Sequence, residues 1–437
     1  MLFTRYQHYD SCMVNNSPKA VNSARSPKCR ICKTNTLSLV LDLGVQPLSG
    51  VFLDSLDSPS DNVPLQLYHC DSCELVQLGY IAPLASMYGE NYGYRSGLNP
   101  TMVRHLEQVY NFITNHMRIS DELSVIDIGS NDGTFLANFN SEFTRKTGID
   151  PSAEKFRQFY PDDTELIVDF FSKDAIRRKS VPAPNLVSSI AMFYDLEDPI
   201  KFAQDIYDVL LDDGYWYVEV CYGPWIAQMC AFDTICHEHI EYYSVSNLKD
   251  IFDQIGFRII STHISSSNGF SIGVLTQKNI DGDDFNSNSD PVFSWFLENE
   301  KSKFTNSAEA WISAAESIER KRNSTKELLL NLQADGKSIF GMGASTKGNI
   351  LLNYLGLDSS VISAIGEVNT SKYGKFTPGS LIPIIPEDEV LKTNPDYILF
   401  LPWHFRTFAI KKYEDYLNLG GQIIFPLPEL EIYKHGS

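Results

Sequence analysis

The sequence predicts an α/β fold in three parts: a small cysteine-stapled β module, a central Rossmann-like domain and a second, smaller Rossmann-like domain. Three observations predict it. Two CxxC pairs, Cys29/Cys32 and Cys70/Cys73, frame a short apolar stretch near the N-terminus. From Ser124, strand-length apolar runs (SVIDIG, TGID, LIVDF, NLVSSIAMFY, YWYVEV) alternate with helical ones such as KFAQDIYDVLLDDG, the pattern of a mainly parallel sheet covered by helices. The alternation resumes in SIFGMG, VISAIGEVN, EDEVLKTNPDYILFLPW and GGQIIFPLP, after an acidic, Asn- and Ser-rich break at Asn279 to Asp290 and a long helical run to about Gln333.

Composition narrows the function. The 437 residues carry 36 Lys plus Arg against 55 Asp plus Glu, a formal net charge of −19, with 43% hydrophobic residues, so the chain has material for two or three packed domains. Such an acidic chain cannot displace counterions from duplex nucleic acid or an anionic membrane, and a polyanionic ligand would need a local basic pocket. No run approaches the roughly 18 apolar residues of a membrane span. The polar start, Met1 to Lys28, has no apolar signal core, and the expected location is cytoplasmic. Residues 1–26 bury too little surface to order and are expected to form a floppy leader.

The first element is the cysteine module. In a reducing compartment, thiols clustered this way point to a metal rather than to disulfides. Four thiolates fill the tetrahedral shell of zinc and leave no open position, so Cys29, Cys32, Cys70 and Cys73 are expected to staple the fold and perform no chemistry. LSLVLDLGVQPLSGVF (Leu37 to Phe52) and LQLYHCDSCELVQLGY (Leu65 to Tyr80) read as strands around the second pair. A Tyr- and Gly-rich joining loop, Ser86 to Met102, then leads into a helix over MVRHLEQVYNFITNHM.

The second element is VIDIGSNDGTFL (Val125 to Leu136): a buried strand, a glycine turn and a helix opening at Thr134 and Phe135. Gly129 and Gly133 would let the backbone approach a ligand, with Ser130 and Asn131 between them and amide donors aimed at a carboxylate or phosphate. The turn is GxxxG rather than GxGxxG and contains Asp132, which would repel a pyrophosphate but suits a cationic amino-acid tail. S-adenosylmethionine (SAM) therefore fits better than NAD. Asp150, ending the next strand, is placed to chelate a ribose diol, and Asp169 or Phe170, ending the one after, to meet the adenine.

The third element is AFDTICHEHIEYYS (Ala231 to Ser244), which sets His237, Glu238 and His239 side by side, ahead of Tyr242 and Tyr243. This is not HExxH. On a helix the two histidines would diverge by about 200°, and on an extended segment they would share a face, so proton transfer fits better than a metal site. In the last domain, GMGASTKGN (Gly341 to Asn349) lacks dinucleotide glycine spacing, but Ser345, Thr346 and Lys347 at a helix start could receive a diphosphate. Lys372, Lys375, His404 and Arg406 are further candidates for the cleft.

Taken together, the four-cysteine module with LGVQPLSGVF between its halves, the Tyr-rich loop, VIDIGSNDGTFL, FDTICHEHIEYYS, GMGASTKGNILLNYLG, KYGKFTPGSLIPI and LPWHF make the chain resemble the class I SAM-dependent sugar C-methyltransferases of deoxysugar pathways. The resemblance covers most of the chain. It implies a zinc-binding module at 27–84, a SAM-binding methyltransferase domain at 85–280 and a Rossmann-like substrate domain at 281–437. It also implies a nucleotide-linked 4-keto sugar that loses a proton at C3 and is methylated there. His239 is then the expected base, with Glu238, His237, Tyr92 and Tyr94 beside it. Gly129, Ser130, Asn131, Asp132, Gly133, Asp150, Asp169 and Phe170 are expected at SAM, and Ser345, Thr346, Lys347, Asn349, Tyr242 and His404 at the sugar nucleotide. Two positions depart from the family pattern: Cys236 stands where Tyr is typical, and SIAMFYDLEDP lacks the usual His.

The chemistry is coherent apart from the resemblance. A C–H beside a ketone is acidic only because its anion delocalises onto oxygen, so the site needs a near-neutral base and donors for that oxygen. Tyr92, Tyr94 or Tyr242 could be the donors. The rival readings are a non-catalytic zinc-stapled protein that binds SAM or a nucleotide sugar, and an NAD-dependent sugar oxidoreductase or epimerase. A monomer or homodimer with no nucleic-acid or membrane partner is expected.

Overall fold

The computed structural model describes residues 28–58, 61–82, 94–118, 122–139, 144–279 and 290–436. The expected leader, Cys12, Tyr92, the first part of the Tyr-rich loop and most of the acidic break lie outside the described residues.

The N-terminal module is a four-stranded antiparallel sheet of β1 (Leu37–Pro47), β2 (Asn62–Cys70), β3 (Val76–Leu78) and β9 (Glu241–Tyr242), in that order. Its last strand comes from just beyond the His-Glu-His segment, with Val76 opposite Tyr242 and Gln77 opposite Glu241. The cysteine module and the central domain therefore share a sheet.

The central sheet has seven strands in the order β10-β11-β8-β7-β4-β5-β6. These are β4 (Leu123–Ile128), β5 (Thr144–Ile149), β6 (Thr164–Ile167), β7 (Leu186–Ile190), β8 (Tyr215–Cys221), β10 (Phe257–Ser265) and β11 (Ser271–Lys278). The pairs β4/β5, β5/β6, β4/β7 and β7/β8 are parallel, and β11 joins β8 antiparallel. YWYVEVC of β8 is buried at every position, as a strand covered on both faces must be. Reversal of strand order at β4 opens a crevice beyond the carboxyl ends of β4 and β7, where doubly wound sheets bind ligands.

The helix Pro100–His116 covers this sheet with His105, Leu106, Val109 and Ile113, spaced as one helical face. The Asn99 side chain accepts from the Thr101 N–H and Pro100 occupies the first turn, which explains the helix start. Within the same layer, His105 bonds Glu219 at 2.8 Å and Glu219 accepts from the Tyr217 hydroxyl at 2.9 Å, so the buried carboxylate is satisfied.

The C-terminal sheet runs β14-β13-β12-β15-β16-β17. Its strands are β12 (Ile339–Met342), β13 (Ile365–Glu367), β14 (Ile384–Pro386), β15 (Tyr397–Phe400), β16 (Gln422–Phe425) and β17 (Glu431–Tyr433), all parallel except β17. The single long helical run expected before it is two helices, Pro291–Lys303 and Ala308–Ala334. Phe304 between them sits at φ +50°, a left-handed conformation that ends the first helix, and Ser307 caps the second. Among the described residues no helix is long and apolar enough to cross a membrane.

Candidate active site

The four cysteine sulfurs lie within 4.8 Å of one another, Cys29 to Cys73 at 3.4 Å and Cys32 to Cys70 at 3.5 Å. A tetrahedron with Zn–S bonds of about 2.3 Å has edges of about 3.8 Å, so the set fits one zinc ion with no position left for a substrate. Every cysteine among the described residues is a free thiol.

The cofactor turn differs from its expected form in two respects. No α-helix opens at Thr134; the chain makes turns and a short 3-10 segment, Leu136–Asn138. The amides expected to face an anion are also taken: Gly129 N–H by Ile149, Asn131 N–H by the Asp150 carboxylate at 2.9 Å, Gly133 N–H by Ser130 and Thr134 N–H by Asp132. The helix-N-terminus picture is therefore corrected. What gathers here is acid: Asp127, Asp132 and Asp150 are all buried. Burial pushes the Asp127 carboxyl up to about 7, against a hydrogen bond from Ser188, and Asp150 adds to the rise. Such a pocket repels a pyrophosphate and welcomes a sulfonium or ammonium group, which supports SAM over NAD.

Gly133, at φ +76°, is required by a neighbour inside the protein. A Cβ there would stand 2.7 Å from the Tyr160 ring, whose hydroxyl donates to the Asn131 carbonyl and lies 2.7 Å from Ser130 Oγ. Sequence reading missed Tyr160, Asp127 and Ser188, which carry no motif of their own. The segment leading into the helix Pro100–His116 folds onto the turn: Ser96 and Gly97 N–H donate to the Asn131 and Asp132 side chains, and Arg95 lies 3.3 Å from Asp132. Tyr94 belongs to this group, its carbonyl accepting from Asn131. Asp169 lies at the surface paired with Arg178, and Phe170 beside it is half exposed.

The His-Glu-His segment is neither helix nor strand. His239 Nδ1 lies 3.1 Å from the Thr234 carbonyl, and its ring meets Tyr194 edge-on at 4.4 Å. A carbonyl only accepts, so Nδ1 carries the proton and Nε2 keeps its lone pair. Burial and then the nearby Lys347 cation lower the imidazole to about 3. His237 is fully buried, and burial lowers it to about 4 against a hydrogen bond with the Val63 backbone. Burial raises the Glu238 carboxyl, whose Oε2 has no hydrogen-bond partner.

Three parts of the chain meet here. A Cβ on Gly50, in the β1–β2 connection, would lie 2.5 Å from Glu238 Oε1 and 3.7 Å from Thr346 Oγ1. Asn349, fully buried, donates to the Ser49 carbonyl at 2.7 Å while its own Oδ1 is unpartnered. Ser345 caps the helix Thr346–Leu355 by accepting from the Gly348 N–H. From the far side Trp403 Nε1 donates to Asp233 at 2.8 Å, and His404, lowered to about 3 by burial and Lys347, has an unpartnered Nδ1. Lys372 donates to the Ala344 carbonyl over the Phe52 ring, Lys375 pairs with Asp54, and Arg406 pairs with Glu431. Tyr242 is buried in β9, edge-on to Trp311, and Tyr243 stacks on Phe193.

Three family models match in succession: "Putative zinc binding domain" over residues 29–88, "Methyltransferase domain" over 102–262 and "C-methyltransferase C-terminal domain" over 266–428. C-methyltransferase NovU from Streptomyces niveus is 28% identical over 414 residues, covering 94% of this chain and 97% of the relative. Among solved structures, a SAM-dependent methyltransferase from Methanosarcina mazei (13% identity, 39% of this chain and 99% of that one, TM-score 0.33) is similar to part of the chain. So is the N-methyltransferase NodS from Bradyrhizobium japonicum in complex with S-adenosyl-L-homocysteine (10% identity, 42% and 89%, TM-score 0.31). The three successive matches and the zinc-fitting thiols show a SAM-dependent methyltransferase with a zinc-binding domain ahead of it and, behind it, a domain similar to the C-terminal domain of C-methyltransferases.

Proposed function

We propose that this C-methyltransferase acts on a nucleotide-linked deoxy-keto sugar in the cytoplasm, and that His239 removes the proton beside the ketone. The observation that carries the reading is the imidazole itself. Its Nδ1 is tied to the Thr234 carbonyl, so Nε2 is a free base at the junction of three domains. At a value near 3 it is unprotonated throughout the working pH range, and it becomes a stronger base as substrate oxygens bring negative charge near it. Lys347 is close enough to depress both His239 and His404, so it is placed to steady the charge that develops on the ketone oxygen. Glu238 Oε2 and Asn349 Oδ1 are acceptors that sugar hydroxyls would satisfy.

SAM, when bound, supplies an electrophilic methyl group. Asp150 already accepts from Asn131 N–H and from the Ser152 N–H and hydroxyl, which leaves it limited capacity for one ribose hydroxyl. Asp127, held up to about 7 by burial, ionises more readily beside a cationic cofactor and then adds negative potential toward it.

The test is incubation with SAM and a nucleotide-linked 4-keto sugar, reading product mass and deuterium wash-in at the carbon beside the ketone. His239→Gln should cut methyl transfer by roughly 10² to 10⁴ and abolish wash-in, with SAM affinity unchanged. Full turnover in that variant would assign the proton to another group.

A further inference from the structure

We infer that the zinc module does more than staple its own fold. Through Arg30 it holds the His-Glu-His segment in register, so that zinc occupancy and the placement of His239 are linked. Arg30 stands between two of the thiols, Cys29 and Cys32. Its backbone N–H donates to Gln77 Oε1 at 2.9 Å, and Gln77 Nε2 returns a bond to the Lys28 carbonyl at 2.9 Å, locking the cysteine turn onto β3. Its guanidinium then leaves the module. Nη1 donates to the Leu78 carbonyl at 3.0 Å and to the Ile240 carbonyl at 3.2 Å, and Nε lies 3.5 Å from Glu241 Oε1.

Ile240 directly follows His239. Its carbonyl also accepts the Leu78 N–H at 2.9 Å, and its own N–H donates to the Tyr194 carbonyl at 2.8 Å, beneath the ring that packs on His239. The peptide after the imidazole is thus pinned from both sides, on one side by the zinc module. The second cysteine turn is attached as well: Asn247 donates to the Cys73 carbonyl and Asn306 to the Glu74 carbonyl.

A buried ion pair is a poor source of stability, because desolvating both charges costs about what their attraction returns, and its best-attested use is to fix register. Arg30 is 6% and Glu241 2% exposed, and burial holds the Glu241 carboxyl well above its ordinary range even beside the guanidinium. An apolar pair would pack here as well but would not direct a donor at the Ile240 carbonyl. Arg30 is therefore a positioning residue. Its guanidinium depends on a two-residue turn between thiols, and such turns are ordered by their metal.

The experiment is hydrogen exchange of full-length protein, following the 231–243 segment in zinc-loaded, chelator-stripped, Arg30→Met and Arg30→Lys forms. Stripping zinc and Arg30→Met should each raise exchange across residues 236–242 roughly tenfold or more, with β4 and β5 still protected. Arg30→Met should keep one zinc per chain, and Arg30→Lys should recover part of the protection. Activity rests on the His239 reading and is scored separately: Arg30→Met should lower kcat about tenfold with KM within about threefold. A stripped protein whose 236–242 segment stays as protected as the loaded form overturns the inference, and so does unchanged exchange in both Arg30 variants. Raised exchange with undiminished turnover would instead overturn the assignment of His239 as base. If Arg30→Met does not fold, Arg30→Lys and zinc removal decide the matter.

Discussion

At the cofactor turn the fixing contacts are close in sequence: Asp150 holds Asn131 from 19 positions away, and Tyr160 holds Ser130 from 30. Around His239 they arrive from much farther, with Trp403 reaching Asp233 across 170 positions and Arg30 reaching Ile240 across 210. One site is built within the central sheet and the segment that leads into its first helix. The other draws on three stretches of chain that are far apart in sequence. A local site should survive damage elsewhere, whereas an assembled one should fail when any partner loosens.

The strongest way to break that contrast is to remove the zinc. Cys70→Ser leaves three thiolates where four filled a closed shell, and binding free energies of structural zinc reach roughly 10 kcal/mol. Zinc content and folding yield should fall together and methyl transfer should vanish. SAM affinity of the remaining soluble protein should stay within about threefold, because no cysteine touches the Gly129–Gly133 turn. Calorimetry showing SAM binding lost in step with zinc would erase the distinction.

The complementary change is Asp150→Ala. It removes a buried carboxylate accepting from Asn131 N–H and from Ser152. Hydrogen bonds to charged groups contribute about 1.5–3 kcal/mol each, so SAM binding should weaken by roughly 10- to 100-fold. Zinc content and the protection of residues 236–242 should not change. Loss of that protection would show that the two sites are energetically one.

This difference in range also decides what the sequence reveals. The two CxxC pairs, the β4 strand with its glycine turn, and the helix start near Thr346 depend on neighbours a few residues away and could be read directly. Asp132 in the turn pointed to a cationic ligand, and Asp127 and Asp150 are buried in the same region. The helix expected at Thr134 failed because the turn spends its amides internally. Arg30, Asp233, Trp403 and Tyr160 could not be found, since a contact between distant segments leaves no period or spacing in either. Gly50 gave no signal that its missing side chain makes room for Glu238.

The C-terminal clamp can be tested more gently than the zinc module. Trp403→Phe keeps the aromatic packing but deletes the indole N–H that donates to Asp233 Oδ2 at 2.8 Å. Asp233 is 1% exposed, so the buried carboxyl loses its indole donor with no water to replace it. Stability should fall by about 1–3 kcal/mol. The KM for the sugar nucleotide should rise several-fold more than the Kd for SAM. Equal weakening of both would mean that the C-terminal domain reaches the cofactor turn too.

The smallest effect is invisible at neutral pH and concerns His237, which the contrast treats as part of the assembled core rather than of the chemistry. Its side chain is 1% exposed, and burial lowers it from 6.5 to about 4 against a hydrogen bond with the Val63 backbone. The sign follows from proton binding. Between those values the unfolded chain takes up a proton that the folded chain refuses, so stability is lost as pH falls from 6.5 toward 4. With one pKa unit equivalent to about 1.4 kcal/mol, the loss at pH 5 amounts to about 2 kcal/mol. His237→Gln has no such proton to exclude. Denaturant titrations at pH 7.5 and pH 5 should therefore show the gap between wild type and variant shifting by about 2 kcal/mol in favour of the variant. A parallel pair of curves would mean that His237 is protonated or solvated in the folded protein, which would place it at the substrate cleft beside His239 instead of behind it.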